Sequence, residues 1–486
     1  MTVGSDSRTW SALIGGELRS ARSGETIDVV NPATGETIAT VPRCGAEDVD
    51  DAVSAASAAF ESWRHLNPTE RARRVNALAD AVSEHAEELA LLDVAENGSP
   101  IREMRGDAHA AAAQLRYFAG LALELRGETI PGDSDRLNYT LMTPFGVVGR
   151  IVPFNHPLMF AGAKIAAPLI AGNTVILKPS EHTSTSALRL AELAAEVLPP
   201  GVLNVITGYG DEAGDALVVH PGVRRLAFIG SAEIGRHIQQ RAATSVVKTV
   251  TLELGGKNPV VIFADADVEE AVAGALRGMN FTWQGQSCGS TSRLLVHRSI
   301  HDELVTALAA AMDAMRSGPP AEESTETGAI VHRRQYEKVL GYLEIGRAEG
   351  ARVVAGGGPP DDPRLANGLF VRPTLFDGVD PGSRLAQEEI FGPVLAAMTF
   401  DTYEEALQIA NGVSLGLTAS AFTRDLSLAH RFARDVEAGF VWINDTSKHF
   451  PGVPFGGVKD SGVGREESLD ELVSYAQVKN VNVRFG

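Results

Sequence analysis

A chain of 486 residues with 44% hydrophobic and 22% charged side chains is too long for one core and ordinary for a folded protein, which predicts two or three domains and argues against disorder. Its 43 basic residues against 62 acidic ones leave a net charge of −19, the wrong balance for the basic face that a nucleic acid or an anionic membrane surface requires. The two cysteines, Cys44 and Cys288, are too few for a disulfide framework and suit a reducing cytoplasm.

The N-terminal stretch MTVGSDSRTWSALIGG lacks a basic segment followed by a long apolar run, so no signal peptide is expected. Residues 46–65 and 68–96 are Ala- and Glu-rich with apolar positions at helical spacing, and 100–125 reads as another helix. The pattern changes at Leu137, where LNYTLMTPFGVVGRIVPF predicts two strands around a Pro-Phe-Gly turn. The most apolar stretch, 160–177, is interrupted by Lys164, Pro168, Gly172 and Asn173 and does not read as a membrane span. Strands at GNTVILKPS, GVLNVITG, VRRLAFIG and KTVTLELGG then alternate with helices at TSTSALRLAELAAEVL, GDEAGDALVVH and SAEIGRHIQQRAAT. That alternation predicts a doubly wound parallel sheet. NPVVIFADAD opens a second α/β region with a further strand at RLLVH. Ligands of such sheets lie beyond the C-terminal strand ends, which puts KPSE and GSAEIG where a dinucleotide belongs. The C-terminal SYAQVKNVNVRF and residues 137–143 alternate like strands and would expose edges unless they pair, either between subunits or within the chain.

Several segments carry chemistry. In FTWQGQSCGSTSR, Cys288 lies between Gly285 and Gly289, a loop open to close approach, although a lone free cysteine is as often an inert core thiol. LELGGKNP puts Glu253 at the end of an apolar strand, where burial raises a carboxylate pKa and suits a general base; a capping or ion-paired glutamate is the plainer alternative. PFNHP holds Asn155 between two prolines, where its amide can meet a developing oxyanion or simply make a turn. In FIGSAEIG, Gly230 and Ser231 close a strand and Gly235 lies inside a helix start, an arrangement whose N–H groups suit a pyrophosphate without matching the G-x-G-x-x-G fingerprint. KPSE offers the cation Lys178 and the anion Glu181 after a strand, suited to ribose hydroxyls. EEIFGPV and PFGGVKDSGVGRE are Gly- and Pro-rich loops with embedded acids and aromatics.

Taken in order along nearly the whole chain, these motifs resemble the hydrolytic, NAD(P)-dependent aldehyde dehydrogenase superfamily. The resemblance implies a Rossmann-like coenzyme domain (1–125 and 145–254), an α/β catalytic domain (255–455) and a small oligomerisation β-extension (126–144 and 470–486), in a homodimer or homotetramer. It implies Cys288 as nucleophile, Glu253 as the base that activates water, Asn155 as oxyanion donor with the Cys288 N–H, and Lys164 and Glu466 as aids to proton movement. Pro153, Lys178, Glu181, Gly230, Ser231, Gly235, Glu389 and Phe391 are implied to bind the cofactor. Glu181 favours NAD, because a carboxylate accepts from a free 2′-hydroxyl and repels a 2′-phosphate, while NADP is tolerated by some members. A small-molecule aldehyde is the expected partner, with no metal.

The departures lie along the implied substrate tunnel, formed by His156, Phe160, Ala163, Thr282, His449 and Phe455. Phe154 stands where Trp is common, His156 and Thr282 replace aromatics, and Ala163 replaces Trp in many members. Ser287 precedes the nucleophile, and His449 takes another frequently aromatic position. A wider, more polar tunnel suggests a bulky or aromatic aldehyde, with a small aliphatic or amino-aldehyde as the alternative. A CoA-acylating relative fits less well, since that chemistry needs no water-activating base such as Glu253.

Overall fold

The computed structural model describes residues 8–485. Its largest sheet has eight strands in the order Gly462–Val463, Thr249–Glu253, Val223–Ile229, Val147–Ile151, Thr174–Lys178, Leu203–Val205, Ala12–Ile14 and Glu17–Arg19. The five central strands are parallel, as the β/α alternation predicts, and the flanking pairs are antiparallel. The chain runs outward from Val147–Ile151 to Leu203–Val205, then returns to the other side of Val147–Ile151 with Val223–Ile229. The strand order therefore reverses between these two neighbours, and the crevice beyond their C-terminal ends is the place for a ligand.

Helices cover both faces. On one side lie α2 (Pro68–Glu84), α3 (Ala86–Asn97), α4 (Ile101–Gly120), α5 (Pro157–Ile170) and α6 (Thr185–Val197); on the other lie α1 (Ala46–Trp63), which precedes them in the chain, and α7 (Asp215–Val219) and α8 (Ala232–Ala242), which follow. Alternate strand residues feed the two cores: Val175 and Leu177 face α5 and α6, while Ile176 faces α1. The single helix expected over 68–96 is two, because His85 leaves helical geometry (φ −104°, ψ 15°), and the helix expected over 100–125 ends at Gly120. The N-terminal strands up to Pro42 have no counterpart in the sequence reading; they are two to six residues long, too short for a periodicity signal.

The second sheet has seven strands, ordered Arg352–Ala355, Thr374–Asp377, Val394–Phe400, Arg293–His297, Pro259–Ile262, Thr418–Phe422 and Phe440–Ile443. Every pair is parallel except the first. Among its covering helices are α9 (Val268–Gly278), α10 (His301–Ala314) and α11 (Arg333–Ala348). The two edge segments noted in the sequence pair with each other within the chain, antiparallel from Ala476 opposite Pro144 to Arg484 opposite Arg136, and Thr129–Ile130 adds a third strand. No helix among the described residues is long and apolar enough to cross a membrane.

The last turn of α3 aligns the helices that reach the crevice. Asp93 accepts from the Leu158 N–H (3.1 Å) at the start of α5, and Glu96 accepts from the Thr185 N–H (3.0 and 3.1 Å) at the start of α6. Carboxylates at helix N-termini satisfy orphan donors and complement the dipole. Both are buried, which pushes Asp93 up to about 7 and Glu96 to about 8. The next residue, Asn97, donates to the Phe154 carbonyl (2.7 Å) and so holds the loop that carries Asn155.

Asn173 ties the β-extension to the large sheet. Its Oδ1 accepts from the Phe145 and Gly146 N–H groups (2.7 and 3.1 Å), and its Nδ2 donates to the Pro168 and Tyr475 carbonyls (3.2 and 2.9 Å). Asn173→Ala strands these groups in a buried site, so a loss of about 3 kcal/mol is expected. Thermal melting checks it: an unchanged apparent Tm would remove Asn173 from this role.

Candidate active site

LELGGKNP forms the hub of the site. Glu253 ends its strand with both carboxylate oxygens buried and without a hydrogen-bond partner among the described residues. Any side chain at Gly255 would collide with the Glu389 carboxylate, and one at Gly256 with the Cys288 carbonyl. The two glycines are thus required by close approach rather than by backbone angle. Gly256 N–H donates to Glu389 Oε1 (2.9 Å), which fixes that carboxylate against the strand end. Asn258, which sequence reasoning missed, donates from Nδ2 to the carbonyls of Cys288 (2.7 Å) and Ser290 (2.9 Å) and accepts from the Thr418 N–H (3.0 Å). One amide therefore fixes the cysteine loop to the second sheet.

Cys288 is half-buried in the wall of a cavity of about 980 Å³. Lys164, His156, Phe160, Ala163, Thr282, His449 and Phe455 line the same cavity, so all six tunnel positions expected from the sequence come together around the sulfur. Asn155 and Glu253 are buried outside the set of lining residues. Burial, reinforced by the carboxylates of Glu389, Glu253 and Glu467, pushes the Cys288 thiol up to about 12. Cys44 is fully buried in the core and does not line this cavity.

Behind the cavity lies a buried ion cluster. Glu466 pairs with Arg150 (2.6 Å) and Lys164 (2.8 Å), and Lys164 also approaches Glu467 (3.7 Å). Burial alone would raise Glu466, but the two cations overcome it and hold it at about 2. Glu253 moves the other way: burial first, then the charge of Glu466, raises it well above its ordinary value, with Lys164, Arg465 and Arg150 opposing. Two nearby carboxylates with separated titrations are the pattern expected of sites that handle protons. Arg150 Nη1 also donates to the hydroxyl of Tyr475 (3.3 Å), at the root of the C-terminal strand. Arg150, Glu467 and Tyr475 carry no local sequence signal.

The remaining expected residues gather at the crevice of the large sheet. Lys178 ends a central strand with its ammonium donating to the Pro179 carbonyl (3.1 Å), and Glu181 follows on the adjacent loop. Gly230 leaves no room for a side chain against the Phe228 ring. Ser231 caps α8, its hydroxyl accepting from the Ile234 N–H (3.3 Å), and Gly235 packs on Leu254. Phe391 has φ 58° and meets Phe154 edge-to-face at 5.7 Å, one residue beyond Pro153. Lys257 Nζ is buried without a hydrogen-bond partner, and burial lowers it to about 7.

The fold joins a half-buried thiol on a wide cavity, a buried carboxylate without a partner at a strand end, and a doubly wound sheet with a switch crevice. A family model described as the aldehyde dehydrogenase family matches residues 19–481. The chain is 46% identical over 466 residues to the aldehyde dehydrogenase tropH of Talaromyces stipitatus, covering 94% of this chain and 90% of the relative. It is 42% identical over 484 residues to a phenylacetaldehyde dehydrogenase of Pseudomonas fluorescens, covering 97% and 95%. Among solved structures, PnpE in complex with nicotinamide adenine dinucleotide superposes with a TM-score of 0.96 at 43% identity, covering 98% and 97%. The NAD+ complex of an aldehyde dehydrogenase from Bacillus cereus superposes with a TM-score of 0.95 at 42% identity, covering 98% and 97%. The chain belongs to the aldehyde dehydrogenase family.

The Asn258 clamp makes a direct prediction. Asn258→Asp keeps the acceptor for Thr418 but turns both donors into an anion facing two carbonyls, so it is expected to lower the apparent Tm more than Asn258→Ala, whose cost is about 2–3 kcal/mol. Alkylation of Cys288 by iodoacetamide reports the loop separately. In the unsubstituted protein its rate rises about tenfold per pH unit between about pH 7 and 9, because the reactive thiolate is a small fraction far below a pKa near 12. Equal melting of the two variants would contradict the clamp.

Proposed function

We propose that this protein oxidises a bulky or aromatic aldehyde to the carboxylic acid with NAD, through a thioester on Cys288. The observation that carries the reading is the joint placement of Cys288 on a wide cavity and of Glu253, raised and unpartnered, at the adjoining strand end. The relative named for phenylacetaldehyde supports the aromatic side of the substrate choice, and two structural neighbours solved with NAD support the cofactor.

The residues at the crevice fit a dinucleotide. The N-terminal N–H groups and dipole of α8, an eleven-residue helix, suit a pyrophosphate, and the bare Gly230 allows close backbone approach. Lys178 and Glu181 would hold the adenosine ribose, and Glu389 with Phe391 the nicotinamide ribose, with Pro153 beside them. Glu181 disfavours a 2′-phosphate, which selects NAD over NADP. When bound, the cofactor supplies the acceptor for the aldehyde's hydride.

The chain's own groups do the rest. Glu253 takes the Cys288 proton, directly or through water, and the sulfur adds to the aldehyde carbon. The developing oxyanion is met by the Asn155 amide and the Cys288 N–H; one such donor is worth about 3 kcal/mol. Once the carbon is oxidised and Glu253 has passed the thiol's proton on to solvent, Glu253 draws a second proton from water. The hydroxide adds to the thioester, the C–S bond breaks, and the acid leaves with the thiol regenerated. Lys164 and Glu466 serve proton movement through their field: Glu466 stays ionised and keeps Glu253 basic.

Residues 1–125 and 145–254 are assigned to the coenzyme domain, 255–455 to the catalytic domain, and 126–144 with 470–486 to an oligomerisation extension. The outer edge of Ala476–Arg484, with Val478 and Phe485 exposed, is available for pairing and supports a homodimer or homotetramer. A cytoplasmic setting is consistent with two free thiols.

Stopped-flow measurement of reduced cofactor tests the mechanism. Cys288→Ala is expected to abolish oxidation of phenylacetaldehyde while NAD still binds; an active variant would refute the assignment. Glu253→Gln is expected to give a slowed burst of reduced cofactor, because the Cys288 proton must then pass to water, followed by a stall, and normal steady-state turnover would remove Glu253 from the base role. In the unsubstituted protein, turnover rises with pH as Glu253, whose pKa is raised, loses its proton.

A further inference from the structure

The wall of the substrate cavity holds a polar group that the chemistry above does not use. His156 follows the oxyanion residue Asn155 directly and lines the cavity with Asp107. His156 Nδ1 and Asp107 Oδ2 lie 2.8 Å apart, on side chains only 13% and 6% exposed. The other ring nitrogen, Nε2, has no hydrogen-bond partner among the described residues. The imidazole is wedged between Phe160 (centroids 5.5 Å) and Trp283 (5.4 Å), two more lining residues. The nitrogen left over after the Asp107 contact thus belongs to a ring held fixed on an aromatic-rich wall. One α4 turn beyond Ala110, Gln114 also lines the cavity, and its Oε1 is unpartnered.

Asp107 sets which nitrogen is available. In the neutral ring Nδ1–H donates to the carboxylate and Nε2 accepts; in the protonated ring Nε2–H donates instead. A hydroxyl suits both states, since it donates to the first and accepts from the second. A carboxylate on the substrate suits only the protonated ring and meets the acidic wall of Glu103, Asp107, Glu326 and Glu467. The two wall cations offer it little, because Lys164 is paired with Glu466 and Arg277 with Asp445.

From this we infer that His156, oriented by Asp107, forms a hydrogen-bonding subsite that selects aryl aldehydes carrying a hydroxyl on the ring over unsubstituted or carboxylated ones. The inference rests on the aryl-aldehyde reading of the preceding subsection and deepens it. A retained buried hydrogen bond is worth roughly tenfold in specificity.

Steady-state kinetics with NAD on phenylacetaldehyde and its ring-hydroxylated and ring-carboxylated analogues tests the subsite. The hydroxylated compounds are expected to show kcat/KM roughly tenfold above the parent for the best-placed isomer, with the gain mainly in KM. His156→Phe is expected to erase that ratio, Asp107→Asn to weaken it, and His156→Gln, which keeps a donor and an acceptor, to retain part of it. Equal kcat/KM for parent and hydroxylated compounds, an undiminished ratio in His156→Phe, or preference for the carboxylated analogue each overturns the subsite alone. Oxidation of none of the aryl aldehydes overturns the aryl-aldehyde reading as well.

Discussion

A buried carboxylate stays charged only where cations meet it, and Glu466 between Arg150 and Lys164 is the contact on which the rest of the site depends. Each partner comes from a different part of the molecule: Arg150 from the centre of the large sheet, Lys164 from α5, and Glu466 from the Gly-rich loop before the C-terminal strand. Removing one member of such a group leaves an uncompensated buried charge, at a cost of about 3–5 kcal/mol. The triad therefore locks sheet, helix and loop in one arrangement. It also keeps a fixed negative charge near Glu253, which helps to raise that residue into the range of a base.

The same economy recurs around Cys288. Gly255 and Gly256 admit Glu389 and the cysteine loop because they lack side chains, and Asn258 binds the Cys288 and Ser290 carbonyls at once. The last turn of α3 does comparable work with Asp93, Glu96 and Asn97, which set the starts of α5 and α6 and the Asn155 loop. The Asn155 and Cys288 loops are thus held by buried polar contacts rather than by loop stiffness, and Glu253 by its place at a strand end. The cavity in front of them is free to vary, and it is there that His156 and Asp107 stand.

Much of this was legible along the chain. The strand–helix alternation from 147 to 262 predicted a parallel sheet because each period is local and each strand is bounded by Gly, Pro or Asn. The ordered motifs around Cys288, Glu253 and Asn155 pointed to one chemistry, and the six expected tunnel residues do share one cavity. The break at His85 was missed because helical spacing continues across it, and the short N-terminal strands because so few residues carry no period. The sequence leaves the pairing of Arg136–Pro144 with Ala476–Arg484 open, since two edges over 300 residues apart give no sign of whether they meet in one chain.

By itself the sequence determined which groups are candidates for the chemistry, because a cysteine in a Gly-flanked loop, a glutamate at a strand end and the glycines that make room for them are properties of residue type and local spacing. The tertiary structure alone decided how those groups titrate and what holds them. The low pKa of Glu466, the charge by which Glu466 adds to the rise of Glu253 expected from its apolar strand, the Asn258 clamp and the Asp107–His156 pair all arise from burial and from partners distant in the chain. Burial and long-range charge depend on the packed three-dimensional arrangement, and no local pattern encodes them.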